Sequence, residues 1–135
     1  MVTASPAQTA SAFDLLDDHS YMSLKTFRKS GVGVPTPVWF ARNGDTLYVV
    51  TQESSGKVKR IRNNGQVEVA PCDVRGGLLG VDYIPAQARI ITDAAEIKQA
   101  DKALSKKYTW QLAIFRFLAR FRKGNWAHLA ITPQG

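Results

Sequence analysis

The chain has 135 residues, with 18 Lys and Arg against 11 Asp and Glu, and therefore a formal net charge of +7. A single cysteine, Cys72, excludes an internal disulfide, and with only two histidines, His19 and His128, no familiar metal-ligand spacing can be assembled. Because no apolar run approaches the ~20 residues of a membrane span, and the opening residues lack the regions of a signal peptide, we expect a cytoplasmic protein without an integral membrane segment.

The order of predicted elements indicates a single sheet-rich domain. We expect residues 1–10 to be a flexible lead-in and residues 11–135 to form one domain. The predicted elements are a helix over 11–18, strands over 21–28, 32–41 and 46–51, a helix from Ser54 or Ser55 to 62, strands over 66–72 and 78–92 (bent or divided at Pro85), helices from 93 to 108 and over 110–122, and a strand over 126–132. About six strands with hairpin-type connections favour an α+β, mainly β fold, in which an antiparallel sheet closes into a small barrel with peripheral helices.

Pro35 and Pro37 set the strand over 32–41 apart from the others. Proline has no backbone N–H to donate, so two prolines this close together cannot lie inside a fully paired ladder. We therefore predict an open edge or a bulge near Thr36. The unpaired backbone there is available to a ligand.

Two short motifs predict local geometry. Asn43-Gly44 is the strongest hairpin signal in the chain, and it predicts that residues 46–51 pair with residues 38–41. The segment from Asp93 to Glu96 has the arrangement of a capping box, which opens a helix. The apolar residues of that helix recur at helical spacing: Ile97, Ala100, Leu104 and Tyr108.

The helix that follows the hairpin carries the best candidate for a functional site. Its first turns contain a cluster of cations: Lys57, Lys59, Arg60 and Arg62. A cation in the first turn opposes the helix dipole, so Lys57 is better explained if a phosphate or carboxylate is bound between it and the helix end. Lys57 and Arg60 lie three residues apart on one face, where they can converge on one anion. The alternative is an ordinary solvated helix face.

Residues 110–122 have two interpretations. The aromatic and aliphatic side chains lie on one side of the predicted helix and the arginines on the other, which is typical of a basic helix on a membrane surface. We favour a helix that packs in the core or in a dimer interface, because aromatic stripes at helical spacing are more often buried. The net charge also leaves a surface for nucleic acid or lipid as a third functional alternative.

No pattern identifies a catalytic side chain or a metal site. His128 lies in a predicted strand without the acid and nucleophile of a triad, so we expect a structural role. Cys72 has no neighbouring cation except Arg75 to lower the pKa of its thiol, and we expect it to be a small buried hydrophobe.

Several segments together resemble a known family. They are Thr26 to Gly31, Thr36 to Phe40, Ser55 to Asn64, Val69 to Asp73, Ala88 to Ile90, Lys107-Tyr108 and Ile131 to Pro133. In this order they resemble the actinobacterial branch of the pyridoxamine-phosphate-oxidase-like flavin and deazaflavin oxidoreductases, the group of coenzyme F-420-dependent enzymes. The resemblance runs from about residue 21 to the C-terminus. It implies a split β-barrel of the FMN-binding type and a homodimer with cofactor sites at the subunit interface.

The resemblance also implies a cofactor site and an activity. It implies that Lys57 binds the cofactor phosphate, with Ser55, Gly56 and Arg60 in support. It implies that the isoalloxazine-like ring lies against Thr36, Pro37 and Val38, with Thr51 nearby. It also implies a contact of Arg75 across the dimer. The activity implied is hydride transfer between the cofactor and a small organic substrate. A basic surface suits the polyglutamate tail of coenzyme F-420, which favours this cofactor over FMN. An FMN-binding oxidoreductase and a non-catalytic carrier are the alternatives, and we expect no nucleic-acid partner.

Overall fold

Seven antiparallel strands form one curled sheet in the part of the chain that the structure, a computed structural model, describes: residues 11–108 and 125–134. The elements are a 3₁₀ helix Ala12–Leu16, β1 Tyr21–Phe27, β2 Gly33–Trp39, β3 Ala41–Asn43, β4 Thr46–Gln52, α1 Gly56–Asn63, β5 Gln66–Cys72, β6 Ile84–Ile91, α2 Ala94–Lys107 and β7 Trp126–Pro133. The strand order across the sheet is β2-β1-β5-β6-β7-β4-β3. The predicted α+β, mainly β split-barrel fold is confirmed, and the predicted helix over 110–122 lies outside the described residues.

The edge position of β2 confirms what its prolines predict. Pro35 lies opposite Lys25 and Pro37 opposite Ser23, both on β1. Within the described residues no second strand pairs with β2, which ends the sheet on that side. The missing proline donors therefore break no ladder on the outer side of the strand.

The predicted hairpin forms, but its register extends over fewer residues than predicted. Asn43 pairs with Thr46 and Ala41 with Tyr48, and Gly44 takes a φ of +62°, which suits a glycine in a tight turn. The prediction that residues 38–41 all pair with β4 is wrong for Val38 and Trp39, which pair with Met22 and Tyr21 of β1 instead. The chain changes strands at Phe40, because β2 and β3 lie at opposite edges of the curled sheet.

The region predicted as a strand over 78–92 is mostly loop in its first half. Leu78 makes one isolated bridge to Cys72, and regular pairing begins only at Ile84. Pro85 does not divide the strand. It lies near the start of β6 opposite Glu68, where a missing N–H is tolerated.

Two apolar clusters hold the sheet and the helices together. The inner cluster fills the concave side of the sheet and includes the buried side chains Phe13, Leu24, Leu47, Val69 and Leu129, with Ile61 of α1. The outer cluster joins α2 to the convex side through Ala100, Leu104, Tyr108, Tyr48 and Ala130. The predicted apolar stripe of α2 is thus confirmed.

Local capping explains where the helices begin. Asp93 accepts a hydrogen bond from the Glu96 N–H at 3.0 Å, so half of the predicted capping box forms. The Glu96 carboxylate turns instead to Arg89 on β6. The short helix predicted over 11–18 forms as the 3₁₀ helix Ala12–Leu16, with Ser11 as the predicted cap. None of the helices described in 11–108 is long and apolar enough to cross a membrane.

Candidate functional site

A cavity of about 420 Å³ lies between two strands that do not pair with each other. One wall is the edge strand β2 with Pro37, Val38 and Trp39, and the opposite wall is β4 with Val50, Thr51 and Gln52. The remaining lining residues are Tyr21, Ser55, Lys57, Leu104 and Trp126. We call this the split cavity, because it occupies the gap where the curled sheet does not close. Its volume is in the range of small-molecule sites.

The structure brings five of the nine sequence-predicted residues together in the split cavity. These are Pro37, Val38, Thr51, Ser55 and Lys57. The other four do not line it: Thr36, Gly56, Arg60 and Arg75. Their proposed contacts with a cofactor stay predictions.

Lys57 lies in the first turn of α1, a turn that contains no acidic residue. Its ammonium group is half-buried, and burial lowers the pKa of Lys57, with a smaller contribution from Arg60. A cation at this end also opposes the helix dipole. A bound anion would relieve both unfavourable effects.

Ser55 occupies the N-cap position of α1 but does not cap the helix. Its side chain makes no capping hydrogen bond, and its Oγ is a buried polar atom with no hydrogen-bond partner among the described residues. Buried hydroxyls are nearly always hydrogen-bonded, and leaving one unpaired costs roughly 1–3 kcal/mol. A ligand atom beside Lys57 would give this hydroxyl its partner.

Arg60 is fixed just behind this turn. Its Nε donates to Oγ1 of the buried Thr26 at 2.6 Å. A Cβ placed on Gly56 would lie 2.9 Å from a terminal nitrogen of Arg60, so the glycine leaves room for the guanidinium to lie over the helix start. Arg60 therefore adds positive charge beside Lys57 without lining the cavity.

Aromatic rings form one wall of the split cavity. The Trp39 ring is stacked on the Tyr108 ring, with ring centroids 5.3 Å apart. The Tyr21 ring is tilted against Trp39, with ring centroids 6.2 Å apart. The Tyr108 hydroxyl accepts from the Phe40 N–H at 3.1 Å and lies 2.7 Å and 2.5 Å from the carbonyl oxygens of Ser20 and Phe40. Trp39 is thus held by a buried tyrosine that is itself fixed to the backbone.

Sequence reasoning missed most of this aromatic wall. Tyr21 and Trp126 stand at strand ends, and their contribution follows from sheet curvature rather than from local pattern. The sequence feature that could have indicated this wall is Trp39 itself, which shares one face of the strand with Pro35 and Pro37.

Arg75 belongs to a loop beside the cavity. The Asp73 carboxylate accepts from the backbone N–H groups of Arg75 at 2.9 Å and Gly77 at 2.8 Å, which shapes the loop. Gly76 has a φ of +92°, and a Cβ there would lie 3.6 Å from the Pro37 ring. The loop therefore runs along the outside of β2.

The two remaining candidates lie outside the split cavity. His128 Nε2 is 2.9 Å from Asp101 Oδ1 and joins β7 to α2, which agrees with the predicted structural role. Cys72 is buried, and burial raises the pKa of its thiol to about 11, as expected for an unreactive cysteine. Among the described residues there is no group of three or more side chains that could hold a metal ion.

The solved structures most informative for comparison share the fold at low sequence identity. An FAD-binding protein from Mesorhizobium loti has a TM-score of 0.63 at 14% identity, with 93% of this chain and 91% of that chain covered. An F420 reductase has a TM-score of 0.56 at 17% identity, covering 93% and 95%. The heme storage protein HutZ from Vibrio cholerae has a TM-score of 0.65 at 12% identity, covering 90% and 87%.

The split cavity has two chemically different parts. It combines a cation and an unpaired buried hydroxyl at one end with aromatic rings along a wall. No curated protein matches the sequence. The family model described as pyridoxamine 5'-phosphate oxidase matches residues 9–134, nearly the whole chain. The chain therefore belongs to the pyridoxamine 5'-phosphate oxidase family and has its flavin-binding split-barrel fold.

Proposed function

We propose that the protein is an oxidoreductase that uses coenzyme F-420 and reduces or oxidises a small organic substrate, with FMN as the alternative cofactor. The observation that carries the proposal is Lys57. It is a half-buried cation at a helix N-terminus, beside a buried hydroxyl without a partner, in a cavity with aromatic walls. A phosphate would bind the cation and the hydroxyl, and a planar ring system attached to it would pack against the aromatic walls.

The residues of the split cavity divide into two groups in this proposal. Lys57, Ser55 and the free N–H groups of the first turn of α1 would hold the phosphate, with Arg60 adding positive charge from behind. Trp39 and the exposed edge backbone of Pro37 and Val38 would hold the ring. The cofactor supplies the hydride chemistry, and the protein supplies position and electrostatics.

Coenzyme F-420 is favoured over FMN because of charge. The chain carries a net charge of +7, which suits the polyanionic tail of F-420 better than the shorter FMN. Structural neighbours include both an F420 reductase and an FAD-binding protein, so both cofactors belong in the test.

We also propose a homodimer in which the edge of β2 faces the partner. Three aliphatic side chains on the loop after β5 are 62%, 47% and 47% exposed: Val74, Leu78 and Leu79. Such a patch beside an open sheet edge is typical of an interface. Arg75 lies in the same loop and does not line its own split cavity, so in this proposal it contacts the cofactor of the partner. Sedimentation analysis of the wild type and of Leu78→Glu tests this: a monomeric wild type would overturn it.

The decisive experiment is a titration of the purified protein with F-420, FMN and hemin, followed by cofactor fluorescence or absorbance. We expect F-420 to bind at micromolar concentration and more tightly than FMN. Hemin is included because heme-binding proteins share the fold. If neither F-420 nor FMN binds at micromolar concentration, or if hemin alone binds, the proposal is wrong.

A non-catalytic carrier is the second candidate, and one observation favours it. Among the described residues that line the split cavity there is no carboxylic acid, histidine or cysteine to transfer a proton to substrate. Reduced F-420 offered with a panel of unsaturated ketones and quinones separates the two functions. Turnover of any of them supports the enzyme, and tight binding without turnover across the panel supports the carrier.

A further inference from the structure

A second and larger cavity, of about 630 Å³, is lined in part by Phe40. Its walls are the end of the 3₁₀ helix, the start of β3 and one face of α2. The two cavities share no lining residue. We propose that this lysine cavity, named for Lys102, Lys106 and Lys107, is a binding site for a small amphipathic organic anion. The ligand would carry a carboxylate or a phosphate on an apolar ring or chain.

The apolar part of such a ligand has a surface to contact. Leu16, Phe40 and Ala41 form a fixed floor of the lysine cavity and are almost completely buried. The apolar surface that a ligand can reach is therefore mainly that of Ala103 and of the aliphatic stems of the exposed lysines. Ala103 of α2 adds a small side chain that leaves room above this floor. A cavity with this volume and an apolar floor is the usual form of a small-molecule site.

The anionic part has a cationic rim. Gln99, Lys102, Ala103, Lys106 and Lys107 line the cavity from one face of α2, next to the face that packs on the sheet. Four cations against the two carboxylates of Asp17 and Asp18 leave two positive charges in excess. Since Arg42 pairs with Asp14 at 2.8 Å and Asp17 at 3.0 Å, this excess resides on the lysines. No described carboxylate lies within ion-pair distance of the three lysines.

Helix electrostatics explain only part of this arrangement. Lysines in the last turn of a helix favourably complement its dipole, which accounts for a charge at Lys106 and Lys107. It does not account for the position of the Lys107 Nζ, which lies 3.5 Å from the centroid of the Phe40 ring, so that the ammonium group of this cavity-lining residue lies over an aromatic face.

The protonation of Lys107 gives the site a measurable signature. Burial lowers the pKa of Lys107 to about 8, although Asp17 and Asp18 act in the opposite direction. The other charged groups around it are Arg42 on β3 and Lys102 and Lys106 on α2, with the hydroxyl of Tyr108 next in the chain. An anion bound here raises the pKa of Lys107, so binding takes up a proton at a pH near or above about 8.

The test uses the full chain and defined probes. Phenyl phosphate, benzoate, inorganic phosphate and neutral benzamide are titrated into the protein by calorimetry and by NMR. We expect both aromatic anions to bind, and inorganic phosphate and benzamide to bind at least about tenfold more weakly. Equal binding of benzoate and benzamide, or of phenyl phosphate and inorganic phosphate, overturns the proposal. So does the absence of any binding at millimolar concentration.

Matched variants locate the bound probe. Lys107→Met and Lys102→Met keep the aliphatic stem and remove the charge, and each should weaken phenyl phosphate binding by about fivefold to tenfold. Lys98→Met is the control, since Lys98 is an exposed lysine of the same helix that does not line the cavity. Equal weakening in all three variants indicates a diffuse charge effect and overturns the site.

The proton signature is an independent check that does not depend on how well a variant folds. Heats of benzoate binding measured near pH 8 in buffers of different ionisation enthalpy should show proton uptake by the wild type. Uptake should disappear in Lys107→Met. Binding without proton uptake contradicts a ligand at Lys107. Phenyl phosphate also suits the split cavity, so Lys57→Ala separates this result from that of the proposed function. Binding that is lost in Lys57→Ala and kept in Lys107→Met belongs to the split cavity and overturns the site.

Discussion

The two described α-helices each hold a lysine beside a cavity, but at opposite ends. Lys57 lies in the first turn of α1 at the split cavity, and Lys107 lies in the last turn of α2 at the lysine cavity. Burial lowers the pKa of both lysines. The helix dipole favours the cation on α2 and opposes the cation on α1.

The charge of Lys107 is stabilised by the fold itself, whereas the charge of Lys57 is stabilised only when an anionic ligand is bound. Lys107 gains from its helix end and from the Phe40 ring, so it is compatible with a stable protein whether or not its cavity is filled. Lys57 has no acid in its turn and a like charge, Arg60, close by. We infer that Lys57 weakens the unliganded protein and strengthens the liganded one.

The largest expected effect is on cofactor binding. Lys57→Ala should weaken F-420 binding, or FMN binding if that is the cofactor, by roughly 1.5–3 kcal/mol, about 10- to 150-fold, because it removes a charged phosphate contact. Fluorescence titration measures it. Lys59→Ala is the control, since Lys59 is an exposed lysine of the same helix outside the cavity. Equal affinities for the two variants would remove Lys57 from the site.

The end of α2 can be tested through Tyr108. Tyr108→Phe removes the hydroxyl that accepts from the Phe40 N–H and should lower the free energy of unfolding by about 1–3 kcal/mol, because that buried N–H loses its partner. Urea unfolding gives the value. Tyr21→Phe is the control, since the Tyr21 hydroxyl makes no hydrogen bond within the described residues. A loss of the same size in both variants would mean that the backbone contacts of Tyr108 contribute little.

The start of α1 depends on a contact from the sheet. Thr26→Val is nearly isosteric and removes the Oγ1 that accepts from Arg60. We expect a loss of about 1 kcal/mol in the free energy of unfolding and a smaller loss of cofactor affinity, since Arg60 keeps its charge but not its position. Thr51→Val at the cavity wall should instead reduce cofactor affinity more than it reduces the free energy of unfolding. Equal profiles would indicate that Arg60 is not positioned by Thr26.

Local patterns predicted the elements of this fold better than they predicted how the elements face each other. Proline chemistry at Pro35 and Pro37 predicted the open edge of β2, because the missing donors act within the strand itself. The contact between Arg60 and Thr26 spans 34 positions, and that between Tyr108 and Phe40 spans 68. Side-chain periodicity indicates which face a residue occupies, but strand order decides what lies opposite.

The same limit explains the partial success at the site. The pattern of one helix start predicted Lys57 with Ser54 or Ser55 as its cap, and the family resemblance added Thr51. The lysine cavity could not be predicted without the fold, because its residues come from separate elements. Its lysines are spread over the end of α2 as an ordinary basic face. Only the packing of β3 against α2 places Phe40 beneath Lys107.

The smallest expected effect has the opposite sign to the first and tests the comparison most directly. Without cofactor, Lys57→Ala should raise the free energy of unfolding by roughly 0.3–1 kcal/mol more than Lys59→Ala does, because it removes an unfavourable charge from the helix start while the propensity change is the same. Lys107→Met should not raise the free energy of unfolding in this way. Removing the ammonium group ends its desolvation cost, but it also removes the favourable interactions with the helix dipole and with the Phe40 ring.

The effect of Lys57→Ala on stability depends on pH. The pKa of Lys57 is lower in the folded state than its ordinary value of 10.5, so unfolding takes up a proton and wild-type stability rises as the pH increases toward that value. The gain from Lys57→Ala should therefore be full below the folded pKa and vanish as the pH approaches 10.5. Unfolding curves across this range measure it. A gain that persists above the ordinary pKa would trace to propensity rather than charge, and the contrast between the two helix ends would then lose its electrostatic basis.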